Sequence, residues 1–260
     1  MTLDPNSVLL TDRVAVVTGA ASGIGHAIAL AYARFGADLA LSDRDAANLG
    51  VVAGECEGLG RKVVIGELDV RDTAAVGVHV DEVRDSFGRV DVLVNNAGGG
   101  FFADFLAVNE KGQDSLIREN FTSVTNFIRA CVPLMPERGG SIINITSIEA
   151  HRAGPGFAVY SAMKAGQFSL AKSLSLELGP RMIRVNCIAP DVIPTPGIGQ
   201  EMLVKTPLPR QGDVDDIAAA AVFLAADALS GFITGTTIHV DGGNLAAGGW
   251  HRLEDGSYTA

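Results

Sequence analysis

Three glycines, one acid, and a phenol next to an ammonium are the groups in this 260-residue chain whose types and spacing could do chemistry. Gly19, Gly23 and Gly25 follow the run Val14-Ala15-Val16-Val17-Thr18 and lead into a helical pattern, roughly Ile24 to Phe35. Glycine there permits a sharp turn, a close approach of backbone to a pyrophosphate, and close packing of helix on strand. The free N–H groups of the helix start, with Ser22 and Ile24 beside them, face the same phosphates. The spacing is Gly-x-x-x-Gly-x-Gly, not Gly-x-Gly-x-x-Gly, so a tight turn of an ordinary α/β protein is the competing reading. Asp43 ends the next strand, where a carboxylate can accept hydrogen bonds from an adenosine ribose and repel a 2′-phosphate. A turn or helix-cap acid is the alternative, and Arg44 beside it can greet a 2′-phosphate. Farther on, Tyr160 and Lys164 stand four residues apart, which puts both on one helical face.

The elements that must position these groups alternate strand and helix. Strands are expected at 14–18, 37–42, 62–68, 91–94, 141–147, 183–189 and 237–241, from short β-branched runs of the kind buried on both faces. Helices are expected at about 45–59, 73–87, 112–135, 156–178 and 214–226, several closed by glycine. This pattern predicts an α/β, Rossmann-like, doubly wound seven-stranded parallel sheet with helices on both faces, in a single domain 1–260 with 244–260 as a C-terminal tail. In such a sheet ligands bind outside the carboxyl ends of the strands. Thr18, Asp43, Asp69, Asn95, Ser147 and Pro190 all fall at such ends, and Asp69-Val70 stands where an adenine edge can be held.

Composition narrows the partners. Lys+Arg 20 against Asp+Glu 30 gives a net charge of −10, which repels nucleic acid and anionic membranes. The three cysteines are scattered and odd in number, as expected of buried thiols in a reducing cytoplasm. His26, His79, His151, His239 and His251 are too dispersed for a metal centre, so no metal is expected. No stretch reads as a signal peptide or a membrane span, and a cytoplasmic location follows as the expectation.

The motifs together resemble the short-chain dehydrogenase/reductase family over nearly the whole chain. Thr18-Gly19-x-x-x-Gly23-Ile24-Gly25 matches its cofactor motif, and Asn95-Asn96-Ala97-Gly98 its sheet-stabilising motif. Ser147, Tyr160 and Lys164 match its active site, with Asn120 as the fourth member. The resemblance implies hydride transfer between a nicotinamide dinucleotide and a secondary alcohol or ketone. Tyr160 would exchange the proton, Lys164 would hold the nicotinamide ribose and bias the phenol, Ser147 would hold the substrate oxygen, and Asn120 would position a relay water. Asp43 favours NAD over NADP. Pro190, the backbone of Ile193 and the Thr195 hydroxyl fall where the family meets the nicotinamide, but Asp191 replaces a usual glycine and puts the loop geometry in question.

Phe101, Phe102, Phe105, Ile148 and Phe157, with Met202 and Leu203 in a short lid, make the expected substrate cleft apolar, suited to a steroid, terpenoid or acyl chain. Glu149, His151 and Asp191 are its polar exceptions. The alternatives are an NADPH-dependent 3-oxoacyl thioester reductase and a catalytically silent dinucleotide-binding regulator. Phe168, Leu170, Leu174 and Leu178, with the alanine-rich helix from Ile217, suggest a helix-paired homotetramer. The tail is expected either to be disordered or to pack on a neighbour, and Trp250 favours packing.

Overall fold

A computed structural model describes residues 4–196, 206–253 and 255–259. Strands β1 (Val14–Thr18), β2 (Asp38–Asp43), β3 (Val63–Glu67), β4 (Val92–Asn95), β5 (Gly140–Ile145), β6 (Ile183–Pro190) and β7 (Thr237–Val240) form one parallel sheet in the order β3-β2-β1-β4-β5-β6-β7. The reversal of order falls between β1 and β4, the switch point where a crevice opens at the carboxyl edge.

Two apolar layers hold the sheet, and the two-residue period of each strand sorts side chains between them. Ala15 and Val17 of β1, with Val92 and Val94 of β4, join the layer under helices α1 (Gly23–Arg34), α2 (Ala46–Gly58) and α7 (Val214–Ala225). Val14, Val16 and Leu93 join the other, under α3 (Thr73–Phe87), α5 (Ser123–Cys131) and α6 (Ala158–Leu178). Tyr32 is fully buried between α1 and α7, and its phenol donates to the Ala221 carbonyl at 3.1 Å, so no polar group is orphaned there.

The structure departs from the sequence expectation in three places. The helix expected over 112–135 is broken into α4 (Glu110–Ile117), a π turn (Arg118–Thr122), α5 and a 3-10 turn (Val132–Leu134). Asn109 caps α4 by accepting from Gly112 N–H at 2.8 Å. Ser147 lies beyond β5 rather than in it, where its hydroxyl caps a 3-10 turn at Ile148–Ala150. A short helix α8 (Asp227–Ser230) precedes β7, and after β7 α9 (Asn244–Ala247) leads to a hairpin of β8 (His251–Arg252) and β9 (Tyr258–Thr259). Trp250 is 57% exposed in the single subunit.

Candidate active site

The β1–α1 turn shows why glycine is needed. Gly19 and Gly23 have φ of +66° and +57°, a region costly for other residues. A Cβ on Gly25 would lie 2.0 Å from the Gly19 carbonyl oxygen, and one on Gly23 would meet the Thr195 methyl at 3.0 Å. Ser22, the residue before α1, makes no side-chain cap, so among the described residues the first-turn N–H groups of Gly23 and Ile24 have no side-chain acceptor. These features fit an anionic diphosphate against the backbone.

The end of β4 is tied to this turn. Thr18 Oγ1 accepts from the N–H groups of Asn96 and Ala97 at 3.0 Å each, and Asn96 Nδ2 donates to the carbonyls of Thr18 and Gly19 at 3.0 Å. Asn95 Nδ2 donates to Asn144 Oδ1 at 2.8 Å, joining β4 to β5. Asp43 accepts from Ala21 N–H at 3.0 Å through one oxygen and from Asp45 N–H at 3.1 Å through the other. Each oxygen keeps a further lone pair. Arg44 is exposed beside it. Asp69 is engaged by the Arg71 guanidinium at 2.9 and 3.0 Å, which holds its carboxyl below the usual range, so the acid is less free for an adenine than expected. Val70 beside it is buried.

Pro190 is buried at the end of β6, and Ile193, also buried, carries the chain to Thr195 beside Gly23. Asp191 needs no left-handed backbone: Asp12 and Met182 are the non-glycine residues at positive φ among those described. The acid replaces the expected glycine without strain.

Four candidate groups converge at the ends of β4 and β5. Lys164 is 3% exposed, donates to the Ile145 carbonyl at 2.9 Å, and stands 5.6 Å from the Tyr160 ring centre. Burial brings its ammonium down to about 8. Burial likewise pushes the Tyr160 phenol up to about 12; the Ser147 hydroxyl opposes this and the Glu149 charge adds to it. Asn120 sits fully buried in the π turn, donating to the Gly99 and Leu116 carbonyls at 2.8 and 3.0 Å and accepting from Gly99 N–H at 3.1 Å. Its own carbonyl accepts from Gln167 at 2.5 Å. A Cβ on Gly98 would lie 2.7 Å from Asn120 Oδ1 and 3.2 Å from Lys164 Nζ, so the glycine lets these groups share one pocket.

The cleft before Tyr160 has two walls. One is aromatic: Phe102 meets Phe157 edge-on at 5.7 Å, Phe157 meets Tyr160 at 6.2 Å, and Phe101 and Phe105 line the same cleft. The other is polar. Ser147 donates to Glu149 at 2.5 Å, Arg152 bridges Glu149 and Asp191 at 2.9 and 3.4 Å, and Asn244 donates to Asp191 at 2.5 Å. Beyond that wall lies a cavity of about 840 Å³ with Asp191, Arg210, His239 and Asn244 in its lining. Met202 and Leu203 lie outside the described residues. Sequence reasoning missed Gln167, Arg152, Asn244 and Arg71. For Arg71 a signal existed, an arginine two residues after an acid at a strand end.

The family model described as Enoyl-(Acyl carrier protein) reductase matches residues 19–244. A 3-oxoacyl-[acyl-carrier-protein] reductase from Thermotoga maritima is 38% identical over 242 residues, covering 90% of this chain and 98% of the relative. Carveol dehydrogenase from Mycobacterium avium, solved in complex with NAD, aligns with a TM-score of 0.87 at 30% identity, over 91% of this chain and 99% of that one. A short chain dehydrogenase from Burkholderia cenocepacia in complex with NADP gives 0.86 at 31% identity, over 90% and 98%.

Proposed function

This chain belongs to the short-chain dehydrogenase/reductase family, oxidoreductases of CH–OH and carbonyl groups, and from that premise we propose that it moves a hydride between a nicotinamide dinucleotide, NAD(H) by preference, and an apolar secondary alcohol or ketone. The observation that carries this is the buried meeting of Lys164, Tyr160 and Ser147 one strand away from the glycine turn. The bound nicotinamide supplies or accepts the hydride. The chain's own residues do the rest. The β1–α1 turn takes the diphosphate, Asp43 the adenosine ribose, and Lys164 the nicotinamide ribose. Ile193 and Thr195, the latter beside Gly23, would hold the nicotinamide.

With its phenol pushed up to about 12, Tyr160 is a proton donor at neutral pH, the state that reduction of a carbonyl requires. Oxidation needs the phenolate, which positive charge nearby favours, from Lys164 and from an oxidised nicotinamide. Asn120 holds Gly99 beside Lys164 through its amide, and the second lone pair of its Oδ1 would serve the relay water. The aromatic wall favours an apolar substrate over a sugar. The kinship to a 3-oxoacyl-[acyl-carrier-protein] reductase supports the second reading, NADPH-dependent reduction of a 3-oxoacyl thioester. A panel of cyclohexanol, 2-octanol, sorbitol and a 3-oxoacyl thioester, each with NAD(H) and NADP(H), separates the two. A higher specificity constant for sorbitol than for the apolar alcohols overturns the apolar reading.

The same reading places the protein in the cytoplasm, consistent with three free, buried cysteines; no helix among the described residues is long and apolar enough to cross a membrane. It also makes the protein a homotetramer. Along the 21 residues of α6 only Lys164, Gln167 and Ala171 are buried, and Leu176 is 80% exposed. Phe168, Leu170, Leu174 and Leu178 rest partly on their own subunit's core, so the face offered to a partner is wider than those four. Sedimentation as a monomer at micromolar concentration contradicts the assembly.

A further inference from the structure

In an ordinary helix the Ser123 N–H would go to the Glu119 carbonyl, four residues back. In the π turn it goes to Arg118, five back, and the Glu119 carbonyl loses its usual donor. Ser123 makes good the loss with its own hydroxyl, which donates to Glu119 at 2.6 Å. The next carbonyl, that of Asn120, is met from another helix: Gln167 Nε2 of α6 donates to it at 2.5 Å. Gln167 is buried one turn beyond Lys164. A carbonyl only accepts, so the amide nitrogen must face Asn120, and Gln167 Oε1 is left buried with no partner among the described residues. An unpaired buried acceptor opposes folding, and leucine or methionine would fill such a space without one. Packing therefore does not account for a glutamine here, whereas the hydrogen bond it donates does.

Asn120 works through its side chain, and the turn decides where that side chain stands. Its amide spans the Leu116 and Gly99 carbonyls and the Gly99 N–H, and its Oδ1 and Lys164 Nζ both border Gly98. If the turn closed to α geometry, the register would slip by one residue, about 100° around the helix axis, and the amide would leave Gly99. We propose that Gln167 is a positioning residue: by donating to the Asn120 carbonyl it keeps the π turn open, and so holds the Asn120 amide at Gly99 and at the relay water. This rests on the oxidoreductase reading above and adds to it a residue of α6 that the reading does not use.

The test uses the full-length protein and the panel substrate turned over fastest, with kcat taken per folded molecule in Gln167→Met, Asn120→Ala and the double variant. Gln167→Met lowers kcat about tenfold, the worth of one such hydrogen bond. In the Asn120→Ala background the same change costs less than about twofold, because the amide through which Gln167 acts is gone. An unchanged kcat in Gln167→Met, or losses that multiply in the double variant, overturns the proposal and marks Gln167 as merely structural. Gln167→Glu supplies a second reading that does not depend on the methionine variant folding. Burial keeps the new carboxyl protonated at low pH, where its O–H can donate to the Asn120 carbonyl, and the carboxylate formed at higher pH has no proton to give. The ratio of its kcat to that of the unmodified enzyme at the same pH therefore falls as pH rises. A ratio that stays constant from pH 5 to pH 10, a span that covers the roughly 8–9 reached by buried glutamates, overturns the proposal as well. An unmodified enzyme that turns over no alcohol or ketone with either cofactor overturns the function reading and this inference with it. Turnover that ignores Gln167 overturns the inference alone.

Discussion

Just before β4, at the amino end of the sheet, Asp91 is buried and met by three arginines, Arg13 at 3.6 Å, Arg89 at 3.0 Å and Arg138 at 2.6 Å, while it accepts from Val14 N–H at 2.9 Å. At the carboxyl end, Lys164 is as deeply buried and has a carbonyl and a tyrosine ring for company, with no carboxylate paired to it among the described residues. One end of the sheet cancels its buried charge; the other keeps a charge in a place that disfavours it. The first arrangement serves stability, the second holds a proton ready to move.

The comparison breaks most visibly at the carboxyl end. Tyr160→Phe removes the movable proton and should lower kcat by about 10³-fold, within the range for general acid–base groups. Cofactor binding, followed by NADH fluorescence, should stay within a few fold, since the phenyl ring keeps the packing. Near-normal turnover would show that the proton travels elsewhere.

Lys164→Met should lose roughly 10²-fold in activity yet gain stability at neutral pH. The folded-state value of about 8 lies below the 10.5 of a free lysine, so between them the unfolded chain binds the extra proton and stability rises with pH. Below about 8 the folded protein carries the whole cost of the buried charge, on the order of 3 kcal/mol. Methionine removes it. A melting temperature measured at pH 7 should rise in the variant, and the gain should vanish above about pH 10. A fall at pH 7 would mean that Lys164 is stabilising, like Asp91.

Asp91→Ala should do the opposite. Losing one partner of a buried ion pair costs about 3–5 kcal/mol, discounted here to about 2–3 because the arginine side chains are 20–45% exposed and can rehydrate. Denaturant unfolding should report that loss, with kcat per folded molecule unchanged. The smallest effect is at Asp43→Ala, which with Arg44 retained should narrow the NAD preference by about tenfold, read as a ratio of kcat/KM values. Equal use of both cofactors by the unmodified protein would assign the pocket to Arg44.

Much of this was legible in the sequence, for physical reasons. Strands buried on both faces, such as β1 and β4, must be short and largely apolar, and Gly19 and Gly23 of the first turn have no ready substitute at φ near +60°. Tyr160 and Lys164 share a face by helix geometry alone. The π turn at Asn120 was hidden, because an extra residue in one turn barely disturbs an apolar period of 3.6. The polar wall was hidden for a different reason. Ser147, Glu149 and Arg152 come from one loop, but Asp191 and Asn244 arrive from two others, and only the folded chain brings them within bonding distance. The Asp191 exchange looked like a threat to a turn and proved to be an anchor.

The strand order also sets a clock during synthesis. β1 ends in the middle of the sheet, with β2 on one edge and β4 on the other. Roughly seventy residues separate Thr18 from Val92, so at typical elongation rates the ribosome needs about 4–15 s to supply the second neighbour. Throughout that interval Val14-Ala15-Val16-Val17-Thr18, a segment with strong strand preference and no charge, has an open hydrogen-bonding edge. The open edge of β1 is therefore covered only after the glycine turn and Asp43 have been made, and before Asn120, Ser147, Tyr160 and Lys164 exist.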